Sequence, residues 1–180
     1  TLVATTSNPF SATGLPSGTT IDFYIQQICT SSGDTSIQSS PFSFTTLCAS
    51  FPAPWSEDFS SSSTPNCWSE SGSESWRYST TAAYAAANAG DHSGNGSNYA
   101  WIDGSSPNGP SQISTLTSPN IDIAPLGSPL LSYWVYSHNG NGVGNNTLEV
   151  ELYDGASWNL INTINTDLTD NWINFIYNIN

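Results

Sequence analysis

The stretch Asp91-His-Ser-Gly-Asn-Gly sets oxygen-bearing side chains on alternate residues, Asp91, Ser93 and Asn95, ahead of a glycine turn at Gly96. Hard cations such as calcium are held by oxygen ligands at that kind of spacing. Ile102 stands at the twelfth position of this loop, where an EF-hand requires an acid, so the motif is a different one. A solvated alternative stays open, in which Asp91 makes an Asx turn and water covers its carboxylate. Nucleophilic chemistry has less to work with. Serine, histidine and aspartate all occur, but there is no G-x-S-x-G elbow. His92 sits in the acidic loop and His138 ends a strand pattern, and neither has a triad context. Glu149 and Glu151 are the pair to consider for glycoside hydrolysis. They share the outward face of one strand, the ordinary pattern of a solvated sheet. No catalytic residue is expected.

The elements that position these groups read as β throughout. Ile21 to Cys29 alternates, with Ile21, Phe23, Ile25, Gln27 and Cys29 on one face. Ser31-Ser-Gly-Asp is a hairpin-type turn, and Pro41 to Thr46 is a strand, as is Ser7 to Ala12. Trp76 to Tyr78, Tyr99 to Ile102 and Leu130 to Tyr136 follow. Thr147 to Tyr153 alternates, with Leu148, Val150 and Leu152 inward. Asp154-Gly155 signals a hairpin, Trp158 to Ile164 returns, and Trp172 to Ile179 closes the chain. Thr80 to Gly90 is alanine-rich yet too short for a free-standing helix. A Pro/Gly/Ser turn follows Ile102, and an Asn/Gly loop spans His138 to Asn146. The exposed-aromatic question also arises here: Trp134, Trp158 and Trp172 could serve the core or stack on sugar rings.

Composition bounds the partners. Fourteen acids face one basic residue, Arg77, for a net charge of −13. Such a chain repels phosphate backbones and anionic lipid, which argues against nucleic-acid and membrane-surface binding. Seven Trp, eight Tyr and seven Phe argue for a packed core over disorder. No apolar run approaches the roughly 20 residues of a membrane span. Three cysteines, Cys29, Cys48 and Cys67, contain no C-x-x-C. One disulfide plus one cysteine with an outside partner, or three buried thiols, would both satisfy that count.

Several phrases carry a family resemblance. GLPSGTTIDFYIQQICTSSGDTS and SPFSFTT resemble the last strands of a fibronectin type III domain, although Pro16 falls one position early and Ile21 replaces the corner tyrosine. Asp91-His92-Ser93, Thr117-Ser118-Pro119 and Leu131-Ser132-Tyr133-Trp134-Val135-Tyr136 resemble, in order, three motifs of the MAM domain, the jelly-roll module of extracellular adhesion proteins. Ser56-Glu57-Asp58-Phe59 resembles its opening strand and Cys67-Trp68 its second cysteine phrase.

The resemblance implies an all-β fold in three parts: 1–47 as the end of a type III sandwich, 48–54 as a linker, and 55–180 as a MAM-like jelly roll lacking its last strands. It implies a Cys48–Cys67 disulfide, with Cys29–Cys48 as the rival. It also implies that Glu57 and Asp58 approach the Asp91 loop, so that Glu57, Asp58, Asp91, Ser93 and Asn95 would hold calcium. The whole looks like the modular surface and secreted proteins of gliding Bacteroidetes-type bacteria. The function expected is that of a non-catalytic extracellular module in a large surface adhesin or filament. Its partners would be neighbouring domains, copies of the same protein, or surface glycans and proteins. Alternatives are a carbohydrate-binding module or an accessory segment of a secreted hydrolase. Apolar residues at the end, such as Ile173 and Phe175, lead us to expect a segment of a longer polypeptide or polymer, whose neighbours supply missing strands.

Overall fold

The computed structural model describes residues 9–82, 89–104, 112–138 and 146–180. All regular structure among them is strand, so the chain is all-β. The strands are β1 (Thr20–Phe23), β2 (Phe42–Thr45), β3 (Phe51–Pro52), β4 (Ser69–Gly72), β5 (Arg77–Ser79) and β6 (Tyr99–Trp101). They continue with β7 (Ser114–Thr117), β8 (Ile121–Asp122), β9 (Leu130–Val135), β10 (Leu148–Tyr153), β11 (Trp158–Ile164) and β12 (Ile173–Asn178). They pair as β1–β2, β3–β8, β4–β7, β5–β6, β9–β12 and β10–β11. The chain divides into two compact units, Thr1–Ala49 and Ser50–Asn180. Parts of the expected Ser7–Ala12 strand, the alanine-rich stretch, the turn after Ile102 and the Asn/Gly loop lie outside the described residues.

In the first unit, β1 and β2 are antiparallel, with Ile21 opposite Phe44 and Phe23 opposite Phe42. Phe23 stacks on Phe44 with ring centroids 5.3 Å apart. The strand expected to run from Ile21 to Cys29 stops at Phe23. The cause is serine chemistry. Ser39 N donates to Ile25 O at 2.9 Å, but the return bond from Ile25 N goes to Ser39 Oγ, also 2.9 Å. Gln27 and Ser36 repeat the substitution, with Gln27 N donating to Ser36 Oγ at 2.9 Å. Each hydroxyl takes the place of a ladder carbonyl, as short polar side chains do when they compete with the backbone. The ladder resumes only at an isolated bridge, Ile28 to Thr35. Beyond β1 the alternation therefore buries little: Ile25 is 75% and Ile37 93% exposed.

The second unit carries the core. Among the described residues its buried hydrophobic members are Tyr78, Tyr99 and Ile164. Phe51 and Pro52, within the stretch expected as linker, pair parallel with Ile121 and Asp122. Downstream, Phe51, Ala53, Trp55, Glu57 and Phe59 alternate as half-buried residues with exposed ones between them. Rings carry the packing onward: Trp55 to Trp68 at 6.1 Å, Phe59 to Trp68 at 5.0 Å edge-on, and Phe59 to Tyr78 at 6.3 Å. Gly72 closes β4 at φ 119°, where a side chain would collide with the Ile113 carbonyl.

β9 and β12 are antiparallel, with Tyr133 opposite Phe175 and stacked on it at 5.6 Å. β10 and β11 pair around the Asp154-Gly155 turn, and Glu149, Glu151 and Tyr153 point outward as their alternation requires. Asp154 binds that turn through the Ala156 and Ser157 amides, both at 2.8 Å. Those amides, Ser157 foremost, hold its carboxyl down to about 2. A register shift after Val150 lets Asn162 reach inward, where its amide donates to the Tyr133 hydroxyl at 2.9 Å.

Candidate functional site

The Asp91 loop is a turn closed by Gly94 N donating to Asp91 O at 3.0 Å. Gly94 and Gly96 both take the left-handed conformation, at φ 72° and 80°. The Ser93 hydroxyl donates to the Asp91 carboxylate and, as the leading cause, holds it below the usual range. Asn95 Oδ1 accepts the Ser97 amide at 2.9 Å. The acids of the preceding segment are likewise engaged locally. Glu57 Oε1 accepts Phe59 N at 2.8 Å, and Asp58 Oδ1 accepts Ser60 N at 2.9 Å. The Ser60 amide also lowers the Asp58 carboxyl. Asn98 Nδ2 ties the loop to that segment by donating to Ser60 O at 3.0 Å. Among the described residues no three His, Cys, Asp or Glu side chains gather around a common point.

The histidines lie in a cluster of rings and acids. His92 stacks on Trp134 with centroids 3.7 Å apart and meets Trp172 edge-on at 6.1 Å. His138 Nδ1 lies 2.7 Å from Asp170 Oδ1. Ser137 Oγ accepts Leu168 N at 2.7 Å and donates to Asp167 at 3.3 Å. Among the described residues neither imidazole is hydrogen-bonded to a serine hydroxyl.

Cys48 and Cys67 are disulfide-bonded and Cys29 is free, which leaves Cys48–Cys67 as the bond. Cys29 is exposed, and the Ser31 hydroxyl 3.2 Å from its sulfur is the chief reason its thiol is pulled down to about 6.

Glu70 is a hub that the sequence reading overlooked. Its carboxylate accepts from the Thr64 hydroxyl, from Tyr78 OH at 2.9 Å and from Trp76 N at 3.2 Å. Partial burial pushes the Glu70 carboxyl up, and these three donors outweigh it and hold it below its ordinary value. Burial first, and Glu70 second, push Tyr78 up to about 12. No local signal marked it: Glu70 and Glu74 both stand among serines and a glycine between Trp68 and Trp76.

Beside this hub opens a cleft of about 400 Å3. Trp55, Glu57, Phe59 and Trp68 line one side, and the β9 residues Leu130 to Tyr133 the other. Trp68 Nε1 is buried with no hydrogen-bond partner. Phe59 and Cys67 both hold the left-handed backbone that non-glycine residues avoid, at φ 55° and 68°. The Glu57–Phe59 bond fixes the first and the disulfide anchors the second. An aromatic, mostly apolar cleft of this size with one carboxylate suits an apolar ligand group accompanied by a donor or a cation. No family model, no curated protein and no solved structure matches the chain.

Proposed function

We propose that this chain is a non-catalytic extracellular module with structural and adhesive work, one segment of a large multidomain surface adhesin or filament. The observation that carries the reading is the Cys48–Cys67 disulfide within an all-β chain of two compact units. Disulfides persist in oxidising compartments, and serial β units are a common build for extracellular stalks and adhesins. Electrostatics supports it. Arg77, the one basic residue, lies 3.4 Å from Glu74, 3.9 Å from Asp103 and 4.9 Å over the Trp101 ring. The positive charge is thus spent internally, and an outer surface with net charge −13 does not attract nucleic acid.

The test uses Cys29. On intact cells producing the parent protein, a membrane-impermeant maleimide should label it; labelling only after lysis would refute an extracellular location. Beads coated with the chain should attach to a partner surface more than beads coated with unfolded, reduced chain.

A carbohydrate-binding role has one observation in its favour. Tyr153 and Trp158 lie 5.2 Å apart on the β10–β11 face, and Trp158 is 53% exposed. Exposed rings of this kind stack on sugars. Glycan-array binding abolished by Trp158→Ala would favour that reading.

A further inference from the structure

Among the described residues β9 is paired along one edge alone. Ile179 N donates to Pro129 O at 3.1 Å, and the register continues through Leu131–Tyr177, Tyr133–Phe175 and Val135–Ile173. In an antiparallel ladder the hydrogen-bonded pairs recur at every second residue. The odd positions therefore face β12, and the backbone groups of Leu130, Ser132 and Trp134 face the opposite edge. Among the described residues no backbone group pairs with them there.

The cleft lies against that free edge. Consecutive β9 residues, Leu130 through Tyr133, line it. Side chains of a strand alternate between faces, and a run of consecutive residues borders one space where that space follows the strand's edge. The opposite wall, Trp55 to Glu57, alternates in burial and, among the described residues, belongs to no strand.

We propose that the cleft is a strand-addition site, which takes an extended segment of a partner protein that alternates apolar and basic residues. This rests on the adhesive reading above and names its class of partner. The β9 edge presents a row of backbone donors and acceptors, and an added strand satisfies such a row with its own main chain. Trp55, Phe59, Trp68 and Tyr133 leave an apolar pocket for one side chain of that strand. Glu57 sets the sign. Among the described residues its Oε1 accepts only the Phe59 amide, and Arg77 is already engaged with Glu74 and Asp103. A basic side chain on the partner strand would meet this carboxylate as its counter-charge. A second copy of this chain is a poor occupant, since −13 would meet −13.

The experiment titrates the full chain with an eight-residue peptide alternating phenylalanine or valine with lysine, read by tryptophan fluorescence and amide hydrogen exchange. Binding should slow exchange at the Leu130, Ser132 and Trp134 amides. N-methylation of alternate peptide nitrogens should weaken binding roughly tenfold or more, as expected for the loss of two backbone bonds. Glu57→Gln should weaken it severalfold and leave the N-methyl sensitivity intact. Equal binding of the N-methylated peptide, an unprotected β9 edge, or protection of the same amides by a neutral oligosaccharide or by self-association would overturn the proposal. If bead attachment persists while the peptide fails to bind, adhesion stands and this site falls.

Discussion

The two units use the same β patterning and reach different degrees of burial. In the first, Ile21, Phe23 and Phe44 form a half-buried face, and Ile25, Ile28 and Ile37 stay exposed. In the second, Trp55, Phe59, Trp68 and Tyr78 pack ring against ring, and Tyr78 is 8% exposed. The difference is one of layers. Among the described residues the first unit's strands form a two-stranded ribbon, and such a ribbon by itself is marginal in water. Alternation in a sequence marks a face that can be buried. Burial itself needs a second surface, which in the second unit comes from segments far apart in the chain.

The largest effect expected is from the second unit's rings. Trp68→Ala should cost about 3 kcal/mol or more, read as a fall in denaturant midpoint. Phe23→Ala in the first unit should cost about 1 kcal/mol, because its ring is half-buried against a single partner. Equal costs would erase the contrast between the units.

Reduction of Cys48–Cys67 comes next. Opening a loop of that length should remove about 3 kcal/mol by the chain-entropy argument, and Cys67→Ser should match it. Alkylation sharpens the assignment: iodoacetamide at neutral pH should modify Cys29 alone, given its exposure and lowered thiol value. Modification of Cys48 or Cys67 in the unreduced protein would contradict the bond.

The Glu70 hub should shape the pH profile at both ends. The Glu70 carboxyl is depressed in the folded chain, so its contribution is present above the ordinary carboxylate range and lost as pH falls through the depressed value. Tyr78 is raised to about 12. Its contribution is whole below the ordinary tyrosine value of about 10 and lost as pH climbs toward the folded value. Thermal melts across pH should therefore fall at both extremes. Glu70→Gln should flatten the acid limb and Tyr78→Phe the alkaline one; unchanged limbs would remove the hub from the ledger of pH-sensitive contacts.

The smallest effect should come from calcium. Asp91, Asp58 and Glu57 each commit one carboxylate oxygen to a local hydrogen bond, and among the described residues no three such acids gather around a common point. Binding on those terms is weak, and millimolar calcium should raise Tm by no more than about two degrees, reversed by chelation. A rise of about ten degrees would show that the loop is already arranged as a site.

From the sequence alone, the all-β class followed, together with the bounds of β9 to β12 to within a residue. Leu148 to Tyr153 and Trp158 to Ile164 are legible because alternation and the Asp154-Gly155 turn are local signals, readable without knowing any partner. The Cys48–Cys67 bond came from resemblance, not from the count of three cysteines. Tertiary structure alone decided the rest. β3, β4, β7 and β8 are short or polar, and they are strands only because β3 meets β8 and β4 meets β7 across long stretches of chain. The truncation of β1 depended on where Ser36 and Ser39 landed opposite Gln27 and Ile25. Glu70 and the free edge of β9 were invisible for the same reason. A residue's type states which bonds it can make, and only the fold determines which donors and walls stand within reach.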